Sequence, residues 1–142
     1  MILYDTGAIV AAANTNDQHH HACVSLLTGL RLAKRRLLVP ATVVAEAGYM
    51  IRKHSPRSEV EFIRSLSNGD FEPVELTVAD YARMTELAET YIDRPMGVTD
   101  ASVIAIAERL GVTEIACTDR TDFRMVHPRH VDAFALLPEG IG

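Results

Sequence analysis

The chain has 142 residues, of which 48% are hydrophobic and 23% charged, a length and balance expected of one compact, soluble domain spanning 1–142. Its formal net charge of −5 argues against a general polyanion binder, because nucleic-acid affinity rests on neutralising phosphates with Lys and Arg, so any such role must be local. No stretch approaches the roughly 20 apolar residues that span a bilayer, and the two cysteines, Cys23 and Cys117, have neither disulfide-framework nor zinc-knuckle spacing and read as buried free thiols.

The opening "MILYDTGAIVAAAN" has no positive leader and is interrupted by Asp5, so it does not read as a secretory signal, and a cytoplasmic location is expected. It reads instead as strand, tight turn and helix: "MILY" is stopped by "DTG", and "AIVAAAN" is helix-forming. "LLVP" predicts a second strand closed by Pro40. After it, "ATVVAEAGYMIRKH" places Val43, Val44, Ala47, Met50 and Ile51 on one core face of a helix, which Pro56 should end at Ser55. "SEVEFIRSLSNG" shows a capping-box pattern in Ser58 and Glu61 and a stop at Asn68 and Gly69. "FEPVEL" predicts a strand that Pro73 confines to a sheet edge. "TVADYARMTELAETY" predicts a helix begun by Thr77 and Asp80, with Tyr81, Met84, Ala88 and Tyr91 as its buried stripe. "TDASVIAIAERLG" is apolar nearly all round and capped by Gly111, which suits a central helix. "VTEIACT" and "AFALL" complete the strands. Strands alternating with helices predict an α/β fold, a parallel sheet with helices on both faces.

In such a sheet ligands sit at the carboxyl ends of the strands. Asp5 follows the first strand, Asp119 follows "VTEIACT", and Asp100 begins the buried helix, so all three are expected on that edge. Each has an ordinary explanation too: Asp5 as a helix cap, Asp100 as a cap or dipole partner, Asp119 as the start of an Asx-turn. Their shared edge favours a site, because converging carboxylates raise one another's pKa and a divalent cation relieves the repulsion. Glu46, with Thr42 and Tyr49 as helical neighbours, reads from pattern alone as a surface residue.

Four elements, "LYDTG", the acid within "VVAEAGYMI", "MGVTDASVIAIAERLG" and "ACTDRTDF", occur in an order and spacing that resemble the PIN-domain family, specifically the VapC-type toxins of bacterial and archaeal toxin–antitoxin pairs. The likeness runs over essentially the whole chain. It implies a metal-dependent ribonuclease using Mg²⁺ or Mn²⁺, with catalytic acids at Asp5, Glu46, Asp100 and Asp119, metal ligation by Asp5, Asp100 and Asp119, and support from Thr6 and Thr118. It moves Glu46 from the surface into the pocket. Asp122 stays open between assisting the metal and only ending the turn. The resemblance further implies a cognate VapB-like antitoxin, an RNA substrate such as tRNA or another structured RNA, and a homodimer.

Basic residues are required to hold RNA phosphates beside a ring of acids; Arg120, Arg124 and those of "IRKHSPR" are candidates, with "RLAKRR" and the later Arg129 and His130 as further local clusters. Two rival readings stand beside the ribonuclease. One is a non-catalytic PIN-like module that binds RNA or a protein; the other is a receiver-like phosphoacceptor domain, which needs a lysine after a late strand that "CTDRTDF" lacks. The run His19 to His21 reads as no metal site, because adjacent helical residues face different ways.

Overall fold

The computed structural model describes residues 1–141. In chain order the elements are β1 (Ile2–Tyr4), α1 (Thr6–Ala13), α2 (His20–Leu32), β2 (Leu37–Pro40), α3 (Ala41–His54), α4 (Pro56–Ser67), β3 (Glu72–Val74), α5 (Val78–Thr90), α6 (Val98–Leu110), β4 (Glu114–Ala116), α7 (Thr121–Met125) and β5 (Ala135–Leu137). All strand pairs are parallel, in the order β3-β2-β1-β4-β5. From β1 the chain steps outward through β2 to β3, then returns to the other flank of β1 for β4 and β5. With right-handed crossovers, that reversal sends the connecting helices to opposite faces and opens a crevice at the carboxyl ends of β1 and β4.

The central strands are apolar along their length because both faces are covered: Ile2, Leu3, Leu37, Leu38, Val39 and Ile115 are all essentially inaccessible. Against them lies α6, in which Ala101 to Ala107 form a continuous buried run, and Gly111 ends it in the left-handed conformation at φ 70°. The edge position of β3 fits Pro73, which has no N–H to give a further neighbour.

Local details depart from the sequence pattern. The cap of α4 is Ser55, whose side chain accepts from the Ser58 N–H, with Pro56 in the first turn; Ser58 and Glu61 form no capping box, since proline at the first helical position moves the start three residues back. The capping box at Thr77 and Asp80 is present, but the buried stripe of α5 runs through Asp80, Met84 and Leu87, leaving Tyr81 and Ala88 exposed. Asp80 is buried because Arg109 of α6 pairs with it, which rotates the helix away from its purely apolar face. Met50 on α3 is likewise exposed. Helix α2 was not evident in the pattern, since only Cys23 and Leu30 are fully buried along it.

Candidate active site

The backbone ladder between β1 and β4 continues one residue beyond the strands, the Asp5 N–H donating to Ala116 O at 2.9 Å. This fixes Asp5 at the head of the central strand, 5% exposed. It occupies the cap position of α1, yet its side chain caps nothing, and its Oδ1 is buried without a hydrogen-bond partner. The ordinary helix-cap explanation therefore fails for Asp5. Thr6 beside it is also buried, its Oγ1 also unpartnered. Gly7 completes the turn through a close approach: a Cβ there would lie 2.2 Å from Thr118 Oγ1. The loop after β4, carrying Thr118 and Asp119, thus packs directly on the "DTG" turn.

Asp100 sits half-buried in the first turn of α6, whose cap is Gly97 without a side-chain bond. It arrives from the second helix of a two-helix crossover, not from a helix directly following a strand. Its carboxyl lies close enough to that of Asp122 to share a hydrogen bond, and the charges of Asp5 and Asp119 reach it as well. Asp122, on the first turn of α7, therefore joins the acids spatially. Asp119 is exposed and accepts only a long contact from the Thr121 N–H, 3.5 Å, which leaves its carboxylate largely free.

Glu46 satisfies both descriptions given of it. It is solvent-exposed on α3, yet its charge is felt at Asp5, and Thr99 Oγ1 donates to its Oε2 at 3.0 Å. A hydroxyl chain fastens the two helices that carry it and Asp100: Thr42 donates to Ser102, which donates to Thr99 O, each at 2.6 Å. Thr42, Thr99 and Ser102, with Gly7, are site residues that sequence reasoning missed. Only the adjacency of Thr99 to Asp100, and of Gly7 to "DT", offered any signal.

The electrostatics follow from this crowding. Burial, opposed in part by the Thr6 N–H and reinforced by Glu46, Asp119 and Asp122, pushes the Asp5 carboxyl up to about 6. Burial, the bond to Asp122 and the neighbouring carboxylates push Asp100 up to about 8. An all-oxygen carboxylate set with an orphaned buried oxygen suits a hard divalent cation. Among the described residues no three His, Cys, Asp or Glu side chains are gathered into a ready metal cage.

The basic residues divide differently from expectation. Arg120 is not available to RNA: it is 6% exposed and donates to the carbonyls of Cys117, Pro138 and Ile141. Arg129 pairs with Glu86, and His130 Nε2 bonds Val112 O. In "RLAKRR", Arg35 pairs with Glu114 and Arg36 with Glu72, both at the amino ends of their strands and so away from the acids. Arg52 and Lys53, by contrast, lie over the exposed Tyr49 ring, at 5.8 and 4.5 Å from its centroid. Of the three histidines, His20 bonds Ala11 O through Nδ1. Both cysteines are free and buried, and burial pushes Cys23 to about 11 and Cys117 to about 12, so neither supplies a thiolate near neutral pH. A cavity of about 360 Å³, lined by Tyr4, Ile9, Leu27, Arg31, Phe62 and Phe71 among others, contains none of the clustered acids.

The chain is 25% identical over 138 residues to Ribonuclease VapC26 of Mycobacterium tuberculosis, covering 96% of this chain and all of that one. Its fold is similar to that of Mycobacterium tuberculosis VapC20, described as a toxin cleaving the sarcin-ricin loop, with a TM-score of 0.74 at 17% identity over 86% of this chain and 92% of that one. It is also similar to VapBC2 of Rickettsia felis, solved with a promoter DNA fragment, with a TM-score of 0.68 at 16% identity over 96% and 97% of the two chains. The family model of the PIN domain matches residues 2–126, a span that holds every acid gathered at the head of β1 and β4, and the chain belongs to the PIN domain family.

Proposed function

We propose that this protein is an endoribonuclease that hydrolyses RNA phosphodiester bonds with Mg²⁺ or Mn²⁺, and that it is the toxin of a VapBC-like toxin–antitoxin pair. The observation that carries the reading is the buried, unpartnered Oδ1 of Asp5 among further carboxylates. An ionised oxygen in that setting is costly unless a cation faces it. The likeness to VapC26, over nearly the whole of both chains, supports the reaction class.

Asp5 and Asp100 would hold the ion directly, with Asp119 and Glu46 acting on its waters or on a second ion. When bound, the ion polarises the scissile phosphate and lowers the pKa of an attacking water. The chain's own residues prepare that event. Thr99 orients Glu46, and the Thr42–Ser102–Thr99 chain keeps α3 and α6 in register. Asp100, beside Asp122, holds a proton in the metal-free protein that binding of a cation would displace. Attack by water on phosphorus with cleavage of the P–O3′ bond, the 3′-oxygen leaving and taking up a proton, gives a 5′-phosphate and a 3′-hydroxyl.

RNA is held along α3. Glu46, Tyr49, Met50 and Lys53 share one helical face by spacing, so an aromatic ring with a cation over it lies one turn from the acids. Such a pairing suits an unpaired base stacked beside its phosphate. The similarity to VapBC2 and to FitAcB of Neisseria gonorrhoeae, with a TM-score of 0.60 at 22% identity over 87% and 91% of the two chains, supports a VapB-like antitoxin as partner. We expect a homodimer acting in the cytoplasm; no described helix is long and apolar enough to cross a membrane.

The test is cleavage of structured RNAs, tRNA included, by purified protein with Mg²⁺, Mn²⁺ or a chelator, with the RNA ends mapped. Cleavage should require the metal and vanish in Asp5→Ala and Asp100→Ala. Full activity in either variant would refute the mechanism, and RNA binding without cleavage by the wild type would establish the non-catalytic PIN-like module instead.

A further inference from the structure

We propose that Arg120 is a positioning residue, which aims the loop bearing Asp119 and Asp122 by tying it to the C-terminal segment beyond β5. The inference rests on the ribonuclease reading for its effect on rate, and goes beyond it by assigning a role to chain outside the matched span 2–126.

Arg120 lies between two acids of the cluster and is almost wholly buried. It makes no salt bridge among the described residues; it faces three main-chain carbonyls. Nε donates to Cys117 O at 3.1 Å, Nη2 to Pro138 O at 2.6 Å and Nη1 to Ile141 O at 2.8 Å. A buried cation that pairs with no carboxylate among the described residues persists where fixed dipoles replace its water. Here those dipoles come from the end of β4 and from two points of the segment after β5. The bond to Cys117 O closes the loop Thr118–Asp119 over the guanidinium, and the other two pin that loop to Pro138 and Ile141. The Cys117 N–H to Leu137 O bond, 2.9 Å, runs parallel to this attachment.

The loop needs such an anchor. Helix α7 has five residues, too short to hold its shape by its own hydrogen bonds, and Arg120 is its cap residue. Its orientation is therefore set by what packs beneath it: Phe123, buried at 2% exposure, and Arg120. With Arg120 and Phe123 turned inward, Asp119 stays exposed and Asp122 half-buried beside Asp100. An arginine suits the task, since its planar fork presents donors in several directions, whereas lysine offers one compact ammonium.

The experiment compares wild type, Arg120→Lys and Arg120→Met for RNA cleavage, for Mn²⁺ binding without RNA, and for amide hydrogen exchange. A positioning role predicts that Arg120→Met lowers kcat by about tenfold or more with KM and its salt dependence unchanged. It also predicts weaker Mn²⁺ binding, and faster exchange in 118–126 together with 135–141. Arg120→Lys should recover part of each, and it carries the test by itself if Arg120→Met does not fold. A raised KM with unchanged kcat and a salt slope shallower by about 1 would mark a phosphate contact and overturn the proposal. Unchanged exchange in 135–141 would overturn it as well. Should the wild type cleave no RNA, the ribonuclease reading fails, while Mn²⁺ binding and exchange still decide the role of Arg120.

Discussion

Asp5→Asn separates the two consequences of a buried, crowded carboxylate. Burial chiefly, with the neighbouring acids, moves the Asp5 carboxyl from 3.8 to about 6. In metal-free protein its full ionisation therefore costs roughly 2 pKa units, about 3 kcal/mol of stability. Because the folded-state value is the raised one, the folded protein keeps a proton that the unfolded chain has already released. The stability contribution is complete below about pH 4 and is lost as pH rises through about 6. About half of it, ~1.5 kcal/mol, disappears above pH 5, where general acid unfolding does not intrude. Asparagine has nearly the same shape and no charge, so it abolishes this slope. The amide's own burial cost shifts the variant equally at every pH and cancels in the comparison. Thermal unfolding in chelator from about pH 5 to pH 8 should show the gap between variant and wild type moving by roughly 5 °C in favour of Asp5→Asn. Saturating Mn²⁺ should move the gap back in favour of the wild type, since the ion binds its native state more tightly than that of Asp5→Asn. Parallel pH dependences for the two proteins would refute the claim that Asp5 is held in an anion-hostile site.

Gly7→Ala should cost about 1–3 kcal/mol in urea unfolding, because the new Cβ would displace Thr118, and kcat should fall with it as the Asp119 loop moves. Lys53→Ala, which removes the nearer of the two cations over the Tyr49 ring, should raise KM several-fold with kcat unchanged and make the salt slope shallower by about 1. Mn²⁺ affinity measured by calorimetry should climb with pH as the proton of Asp100, held up to about 8, is displaced. Asp122→Asn should flatten that climb, and an unchanged profile would show that Asp122 stands apart from the cluster.

Much of this molecule is legible in the residue order. Apolar runs, Pro40, Pro73 and Gly111 mark strands and helix ends through local sterics alone, and the spacing of Asp5, Asp100 and Asp119 relative to those elements is enough to expect a shared edge. What the order of residues does not contain is the strand order β3-β2-β1-β4-β5, which puts the reversal of the sheet between the strands that precede Asp5 and Asp119. Contacts between distant segments decide the rest. Glu46 looks like a surface residue by periodicity and is one, but Thr99, 53 positions away, turns it to the site. Asp122 looks like the end of a turn until α7 sets it against Asp100. Arg120 looks like a hand for phosphate until three carbonyls from the end of β4 and the far end of the chain enclose it. Periodicity reports which face of an element is apolar; only tertiary packing reports what stands opposite a polar group, and for charges that partner determines burial, pKa and role.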